Sequence, residues 1–240
     1  MTYNDTFFRT QATGSKRSSI EIVPFVMNLL PVKTVLDIGC GTGTWLSTFT
    51  EEGVLEVTGV DGDYVDTSLL AIPEERFIRY DLTHSLELGT TFDLVVSLEV
   101  AEHLSEEYAS AFVQTLVRHG DVILFSAAIP FQGGRHHVNE QWQGYWAKLF
   151  AEHDYIPVDC IRKPMWENEN VQWWYAQNTF VYVKRSRLHE LPLLEQQHLL
   201  NPQPILNMVH PKLYLMLSGD FYGKDGYQDG SILKEFTPRI

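Results

Sequence analysis

The most constraining stretch of the sequence is VLDIGCGTGTW, residues 35–45, in which an apolar run ends in glycines at alternate positions, Gly39, Gly41 and Gly43. A short, continuously apolar run is typical of a strand that is buried on both faces. Glycines directly behind such a strand let the backbone turn tightly, approach a ligand and direct its amide groups at it. Asp37 precedes the first glycine by two residues. Its carboxylate favours a cationic ligand over a pyrophosphate.

Short apolar strands alternate with helical patterns through the first two-thirds of the chain. The predicted strands are TVLDIG, LEVTGV, RFIRY, FDLVVSL and DVILFSAA. Helical patterns lie between them, as at 105–119, where Ser105 is the predicted N-cap. Two later runs, YIPVDCI and WWYAQNTFVYVKR, are predicted strands close enough in sequence to pair antiparallel. This order predicts an α/β fold with a doubly wound sheet.

Composition excludes several classes of partner. The formal net charge of −13 repels phosphate backbones, so we expect no nucleic-acid partner. The first residues have no apolar core behind a basic tip, and no apolar run approaches the roughly 18 residues of a membrane span. We therefore expect neither a secretory signal nor a membrane anchor. The two cysteines, Cys40 and Cys160, form no disulfide framework and fit a reducing, cytoplasmic compartment.

The glycine spacing separates two kinds of nucleotide-binding loop. A dinucleotide fingerprint would place glycine or alanine where Thr44 stands, which disfavours a NAD-dependent sugar oxidoreductase. The segment DIGCGTG, residues 37–43, instead resembles motif I of class I S-adenosylmethionine-dependent methyltransferases. The resemblance extends over about residues 34–184. It implies a Rossmann-like sheet of seven strands, parallel with an antiparallel last strand and with helices on both faces.

Further motifs of this family follow in order. Asp61, in VTGVDGD, matches the acidic residue that the family places on the ribose hydroxyls, and a carboxylate can accept hydrogen bonds from both hydroxyls of a diol. Asp81, in RYDLT, matches the residue near the adenine amine. The resemblance implies S-adenosylmethionine-binding roles for Asp37, Gly39, Gly41, Gly43, Asp61, Asp81, Leu82 and Glu99. Taken singly, Asp61 and Asp81 could equally be helix caps or solvated loop residues.

The segment SLEVAEHL resembles motif IV and the loop after it, beside the transferred methyl group. Glu99, Glu102 and His103 are spaced i, i+3 and i+4, which one helical turn would place on one face. Two carboxylates and an imidazole suit Mg²⁺ or Mn²⁺. The pattern also resembles the metal-binding segment of ubiquinone-pathway O-methyltransferases and of small-RNA 3′-end methyltransferases. The latter add a histidine that His137 matches best.

A second interpretation of this segment needs no metal. Similar segments occur in methyltransferases in which the glutamates shape the cofactor pocket and cap the next helix. The candidate general bases are then His103, His136 and His137, since an imidazole titrates near neutrality. A non-catalytic nucleoside-binding module is disfavoured by the presence of this segment.

Aromatic residues are concentrated after the glycine pair of the segment GGRHHVNEQW, residues 133–142. Trp142 and Trp146 lie at helical spacing, which favours core positions over a ligand platform. In NVQWWYAQN, taken as a strand, either Trp173 or Trp174 would point away from the core. The candidate acceptor-binding residues are Asn139, Glu140, Trp142, Trp173 and Trp174. An exposed aromatic ring beside polar residues suits a sugar.

We therefore expect O-methylation of a small hydroxyl compound, a sugar or a glycosylated natural product. The alternative is N-methylation of a small amine. Three segments are expected: an N-terminal helical or cap segment at 1–33, the methyltransferase domain at 34–185 and an appendage at 186–240. Prolines interrupt the appendage, so it can bury little core of its own. HPKLYLML within it would serve as a lid or a homo-oligomer contact, or pack on its own subunit.

Overall fold

The computed structural model describes the backbone of residues 5–222 and the side chains of residues 14–218. Its strands are β1 Thr34–Ile38, β2 Glu56–Asp61, β3 Phe77–Arg79, β4 Leu94–Leu98, β5 Val122–Ser126, β6 Tyr155–Val158 and β7 Phe180–Lys184. Its α-helices are α1 Asp5–Leu29, α2 Thr44–Glu51, α3 Ala109–His119, α4 Gln143–Ala151, α5 Arg162–Met165, α6 Trp173–Asn178, α7 Pro192–Leu200 and α8 Pro211–Tyr222.

The seven strands form one sheet in the order β3-β2-β1-β4-β5-β7-β6. β7 is antiparallel to both of its neighbours, and every other pairing is parallel. The predicted Rossmann-like sheet with an antiparallel last strand is confirmed. The strand order reverses between β1 and β4, and such a switch point opens a crevice at the carboxyl ends of the strands. The glycine-rich loop and the segment with Glu102 follow these two strands, so both lie at the crevice.

The central strands are apolar throughout because both faces of the sheet are covered. All five residues of β4 and of β5 are buried. Successive residues of β1 alternate between two core clusters: Val35 packs with Leu46 and Phe49 of α2, and Leu36 packs with the cluster of Phe112. A period-two backbone with apolar cover on both sides explains the unbroken apolar runs in the sequence.

Two local predictions were wrong. Residues 173–178 form α6, not the start of a strand. The helical turn packs Tyr175 edge-on against Trp45, with ring centroids 5.1 Å apart, and this tertiary contact outweighs the β propensity of the aromatic run. Ser105 does not cap α3: it precedes a 3₁₀ turn at 106–108, accepts a 2.9 Å bond from Tyr108 N with its carbonyl and makes no side-chain cap hydrogen bond.

The N-terminal helix is bound to α2 and to the segment before α6, where Gln172 N donates to Ser18 Oγ over 3.0 Å. Ser19 Oγ lies 2.6 Å from Thr48 Oγ1 of α2, and Lys16 Nζ lies 2.7 Å from a carboxylate oxygen of Glu51. The chain divides into two compact units, residues 1–208 and 209–240. The predicted boundary at residue 185 and the role of the appendage stay predictions, and its residues 223–240 lie outside the described part.

Arg162 holds the C-terminal end of the first unit, residues 1–208, through hydrogen bonds. Its guanidinium pairs with both carboxylate oxygens of Asp159 and donates to the carbonyls of Ile205 and, at 2.7 Å, Leu206. The C-terminal end of this unit is therefore fixed on α5. No helix in the described range 5–222 combines the length and apolar character needed to cross a bilayer.

Candidate active site

The glycine-rich loop leaves one side of its backbone open. Gly39 and Gly41 have φ values of 87° and 54°, in the left-handed region. A Cβ at Gly39 would lie 2.4 Å from Cγ2 of Val100, so this glycine permits close packing on the segment behind β4. A Cβ at Gly41 would have no atom within 4 Å. The loop therefore keeps free space beside Gly41, which is where a ligand can approach the backbone.

Two buried carboxylates border the loop. Asp61 Oδ2 accepts a hydrogen bond of 2.6 Å from Gly41 N, which ties the end of β2 to the loop behind β1. Burial raises the pKa of Asp37 well above its usual range, and the neighbouring Asp61 charge raises it further. Burial also raises the pKa of Asp61, although its hydrogen bonds act in the opposite direction. A cationic ligand would compensate the Asp37 charge, which fits the sulfonium and ammonium groups of S-adenosylmethionine.

The predicted adenine-binding residues lie at the end of β3. Asp81 is exposed, and its Oδ1 accepts bonds of 3.0 Å from Thr83 N and 2.7 Å from Thr83 Oγ1, which lower its pKa. Leu82 is partly buried against the second core cluster. Asp81 thus stabilises its own turn, and its contact with adenine stays a prediction, as does the contact of Leu82 with the cofactor.

Behind β4 the chain does not form the predicted α-helical turn. Glu99 has a left-handed φ of 56°, and a 3₁₀ turn covers Ala101–His103. The prediction that Glu99, Glu102 and His103 share one helical face is therefore wrong. One potential ligand atom from each of Glu102, His103 and His137 nevertheless lies within 4.8 Å of the others, and Glu99 is outside this group. We call Glu102, His103 and His137 the Glu-His-His cluster.

Glu102 is the unusual member of the Glu-His-His cluster. Its side chain is fully buried, and neither carboxylate oxygen has a hydrogen-bond partner of normal geometry among the described residues. Burial and the neighbouring Glu99 charge raise its pKa well above the usual range. His137 Nε2 lies 4.0 Å from Glu102 Oε1. A buried carboxylate without a partner is costly, and a cation held between it and the imidazoles would remove that cost.

The two histidines present their rings to this carboxylate. The His103 and His137 rings are edge-to-face, with centroids 4.9 Å apart. Burial lowers the pKa of His103 to about 4, so its ring is neutral at pH 7, the form in which histidine binds a metal. His136 is exposed, and its backbone hydrogen-bonds to His103. These donors fit Mg²⁺ or Mn²⁺ in type, with the imidazoles favouring Mn²⁺.

Glu140 orients His137. Its Oε1 lies 2.9 Å from His137 Nδ1 and accepts a 2.8 Å bond from Gly133 N, while its Oε2 accepts a 2.8 Å bond from Phe131 N. A carboxylate on one ring nitrogen leaves the other nitrogen facing Glu102, as is usual for metal-bound histidines. Glu140 therefore shapes the loop instead of facing solvent, and its predicted contact with the acceptor stays a prediction.

The amide side chains that surround Glu99 were not predicted from the sequence. Glu99 Oε1 accepts a 3.1 Å bond from Asn178 Nδ2, and Oε2 accepts a 2.8 Å bond from Gln132 Nε2. Gln177 donates to Gln132 Oε1 over 3.2 Å, and burial raises the pKa of Glu99 to about 7. The adjacent Gln177 and Asn178 in an apolar stretch were the available signal, but they fall in the segment predicted as a strand.

The aromatic candidates divide between core and surface. Trp146 is in the core, as predicted. Trp142, also expected in the core, precedes α4 and is 39% exposed. Trp173 and Trp174 are both partly buried, which contradicts the alternation expected of a strand. Asn139 is buried.

A family of methyltransferase domains matches the chain over residues 16–175, and the chain belongs to it. Its fold and glycine-rich motif define a class I S-adenosylmethionine-dependent methyltransferase. None of the curated proteins matches the sequence.

Three solved structures illustrate the shared fold. CalS10, an amino pentose methyltransferase of Micromonospora echinaspora involved in calicheamicin biosynthesis, is 15% identical with a TM-score of 0.55, over 77% of this chain and 98% of that one. The magnesium protoporphyrin IX methyltransferase of Synechocystis PCC 6803 is 19% identical with a TM-score of 0.53, over 77% and 89%. The methyltransferase domain of bacterial CtHen1-C is 20% identical with a TM-score of 0.51, over 70% and 97%. At these identities the similarity shows the fold alone.

Proposed function

We propose that the chain transfers the methyl group of S-adenosylmethionine to a hydroxyl of a small polyhydroxylated acceptor, a sugar or a glycosylated natural product. A divalent cation, Mg²⁺ or Mn²⁺, is held by the Glu-His-His cluster. The observation that supports this proposal is the buried Glu102 carboxylate, which has no hydrogen-bond partner of normal geometry among the described residues and lies within reach of His103 and His137.

The position of the cluster suits methyl transfer. Val100 packs on Gly39, so Glu102 and His103 come two and three residues after a residue that contacts the glycine-rich loop. Methyl transfer requires the acceptor oxygen to be aligned with the methyl carbon and the sulfur, and a hydroxyl must also lose its proton. When bound, a divalent cation lowers the pKa of an acceptor hydroxyl and orients it.

The choice of acceptor rests on the net charge of the chain and on one protein of similar structure. CalS10, an amino pentose methyltransferase, supports a sugar acceptor for this fold. The net charge of −13 disfavours RNA, although bacterial CtHen1-C has the same fold. The alternative acceptor is an amine, because Glu102 and Glu99 could hold an ammonium group without a metal.

We expect chelation to remove the activity. A screen of sugars and glycosylated compounds would be run with S-adenosylmethionine in EDTA, then with Mg²⁺ or Mn²⁺ added back. Turnover should be lost in EDTA and restored by one of the ions, while calorimetric binding of S-adenosylhomocysteine stays unchanged as a control. Full turnover in EDTA would contradict the metal role, and a product methylated on nitrogen would contradict O-methylation.

Replacing Glu140 with glutamine should weaken Mn²⁺ binding by about 10- to 100-fold, the usual cost of losing the partner that orients a ligand. The glutamine keeps the side-chain size but removes the charge that fixes His137 Nδ1. Mn²⁺ binding would be measured by electron paramagnetic resonance. Glu152→Gln, at an exposed glutamate behind α4, is the charge-matched control. Equal Mn²⁺ affinity in both variants would show that Glu140 does not orient a ligand.

A further inference from the structure

The carboxylate of Asp61 is already engaged by three donors. Gly41 N donates to Oδ2 over 2.6 Å, Gly62 N donates to Oδ1 over 2.7 Å, and the hydroxyl of Tyr64 also donates to Oδ1. A carboxylate has about four acceptor sites. One acceptor site of Asp61 is therefore left, whereas the two hydroxyls of a ribose need two acceptor sites.

The three donors differ in their freedom to move. Gly41 and Gly62 donate through the backbone: Gly62 directly follows β2, and Gly41 follows Cys40, whose N donates to Val60 O of β2 over 3.2 Å. Tyr64 donates through a side chain that is 50% exposed and can rotate away. The ring of Tyr64 also depends on Gly62, because a Cβ at Gly62 would lie 2.3 Å from Cε1 of Tyr64. Glycine at position 62 thus makes room for the ring that reaches Asp61.

We propose that the Tyr64 hydroxyl occupies the place of a ribose hydroxyl on Asp61 and leaves when the cofactor binds. The inference rests on the proposed contact between Asp61 and the ribose. Tyr64 then competes with the cofactor: its hydrogen bond is broken on binding and formed again on release. Tyr64 lowers the affinity for S-adenosylmethionine and S-adenosylhomocysteine alike and speeds the departure of the spent cofactor.

The experiment compares wild type with Tyr64→Phe, using adenosine and 2′,3′-dideoxyadenosine as matched ligands in calorimetry. The variant should bind adenosine about tenfold tighter, the lower end of what a hydrogen bond to a charged group contributes. Dideoxyadenosine, which has no hydroxyls to place on Asp61, should bind both proteins equally. Tyr155→Phe, which removes a phenol that donates to Gly120 O at the opposite end of the sheet, should match wild type with both ligands.

The remaining outcomes would overturn either the role of Tyr64 or the cofactor assignment. Weaker or unchanged adenosine binding by Tyr64→Phe would overturn the inference, as would an equal gain with dideoxyadenosine. S-adenosylhomocysteine is titrated in parallel. If wild type and variant both fail to bind it, the cofactor assignment itself falls, whereas equal binding by both removes only the role of Tyr64.

Discussion

Replacing Glu102 with glutamine is expected to reduce turnover by more than about 100-fold, beyond the upper end of what losing a partner of a metal ligand costs. Glutamine has nearly the same volume, but its amide cannot replace an anionic ligand. The fold should tolerate the change, because the variant removes a fully buried carboxylate whose oxygens have no hydrogen-bond partner among the described residues. Activity and stability should therefore separate, with the melting temperature unchanged or higher.

The measurement of Glu102→Gln combines kcat on a diol acceptor, Mn²⁺ binding and thermal unfolding. Glu107→Gln, at an exposed glutamate five residues further along the chain, removes the same charge and should behave as wild type. Wild-type turnover and Mn²⁺ affinity in Glu102→Gln would refute the metal site. Lost turnover with unchanged Mn²⁺ affinity would point to the amine alternative, in which the carboxylate holds the substrate.

Replacing Gly39 with alanine should reduce the free energy of unfolding by about 2–5 kcal/mol. A non-glycine residue in the left-handed region costs about 1–2 kcal/mol, and overpacking of a tight contact adds about 1–3 kcal/mol. Both apply here, because φ is 87° and the new Cβ would lie 2.4 and 2.5 Å from the two methyl groups of Val100. Val100 lies two residues before Glu102, so we expect metal affinity to fall as well. Denaturant unfolding and Mn²⁺ titration measure the two effects.

Gly41→Ala is the matched control for this prediction. Its φ of 54° gives a similar backbone cost, but its Cβ would meet no atom within 4 Å. The variant should lose only about 1–2 kcal/mol of stability, while its affinity for S-adenosylhomocysteine falls because the methyl group enters the cofactor space. Equal stability of the two variants would contradict the packing argument. Unchanged cofactor affinity in Gly41→Ala would place the cofactor elsewhere.

The sheet could be predicted from the sequence because the signals for its strands are local. Buried parallel strands require unbroken apolar runs, and the glycine-rich loop directly follows the first of them. The proximity of Glu102 and His103 behind β4 could also be predicted, whereas a metal bound there stays a prediction. The orientation of the Glu99 side chain could not be predicted, because it depends on a left-handed backbone and on Asn178, 79 residues away. Local alternation could not reveal that Asn178 ends a helix.

The contacts of the N-terminal helix have a consequence for biosynthesis. Ile22, Val23 and Val26 of α1 are completely buried, and Glu21 accepts hydrogen bonds from Asn168 and Asn170, separated from it by 147 and 149 positions. The ribosome completes α1 long before these partners emerge, so the nascent chain exposes an apolar helix while most of the domain is still being translated. Such distant pairings slow folding and prolong the exposure of aggregation-prone surface. α1 therefore completes its contacts only after residues 168–170 have been synthesised.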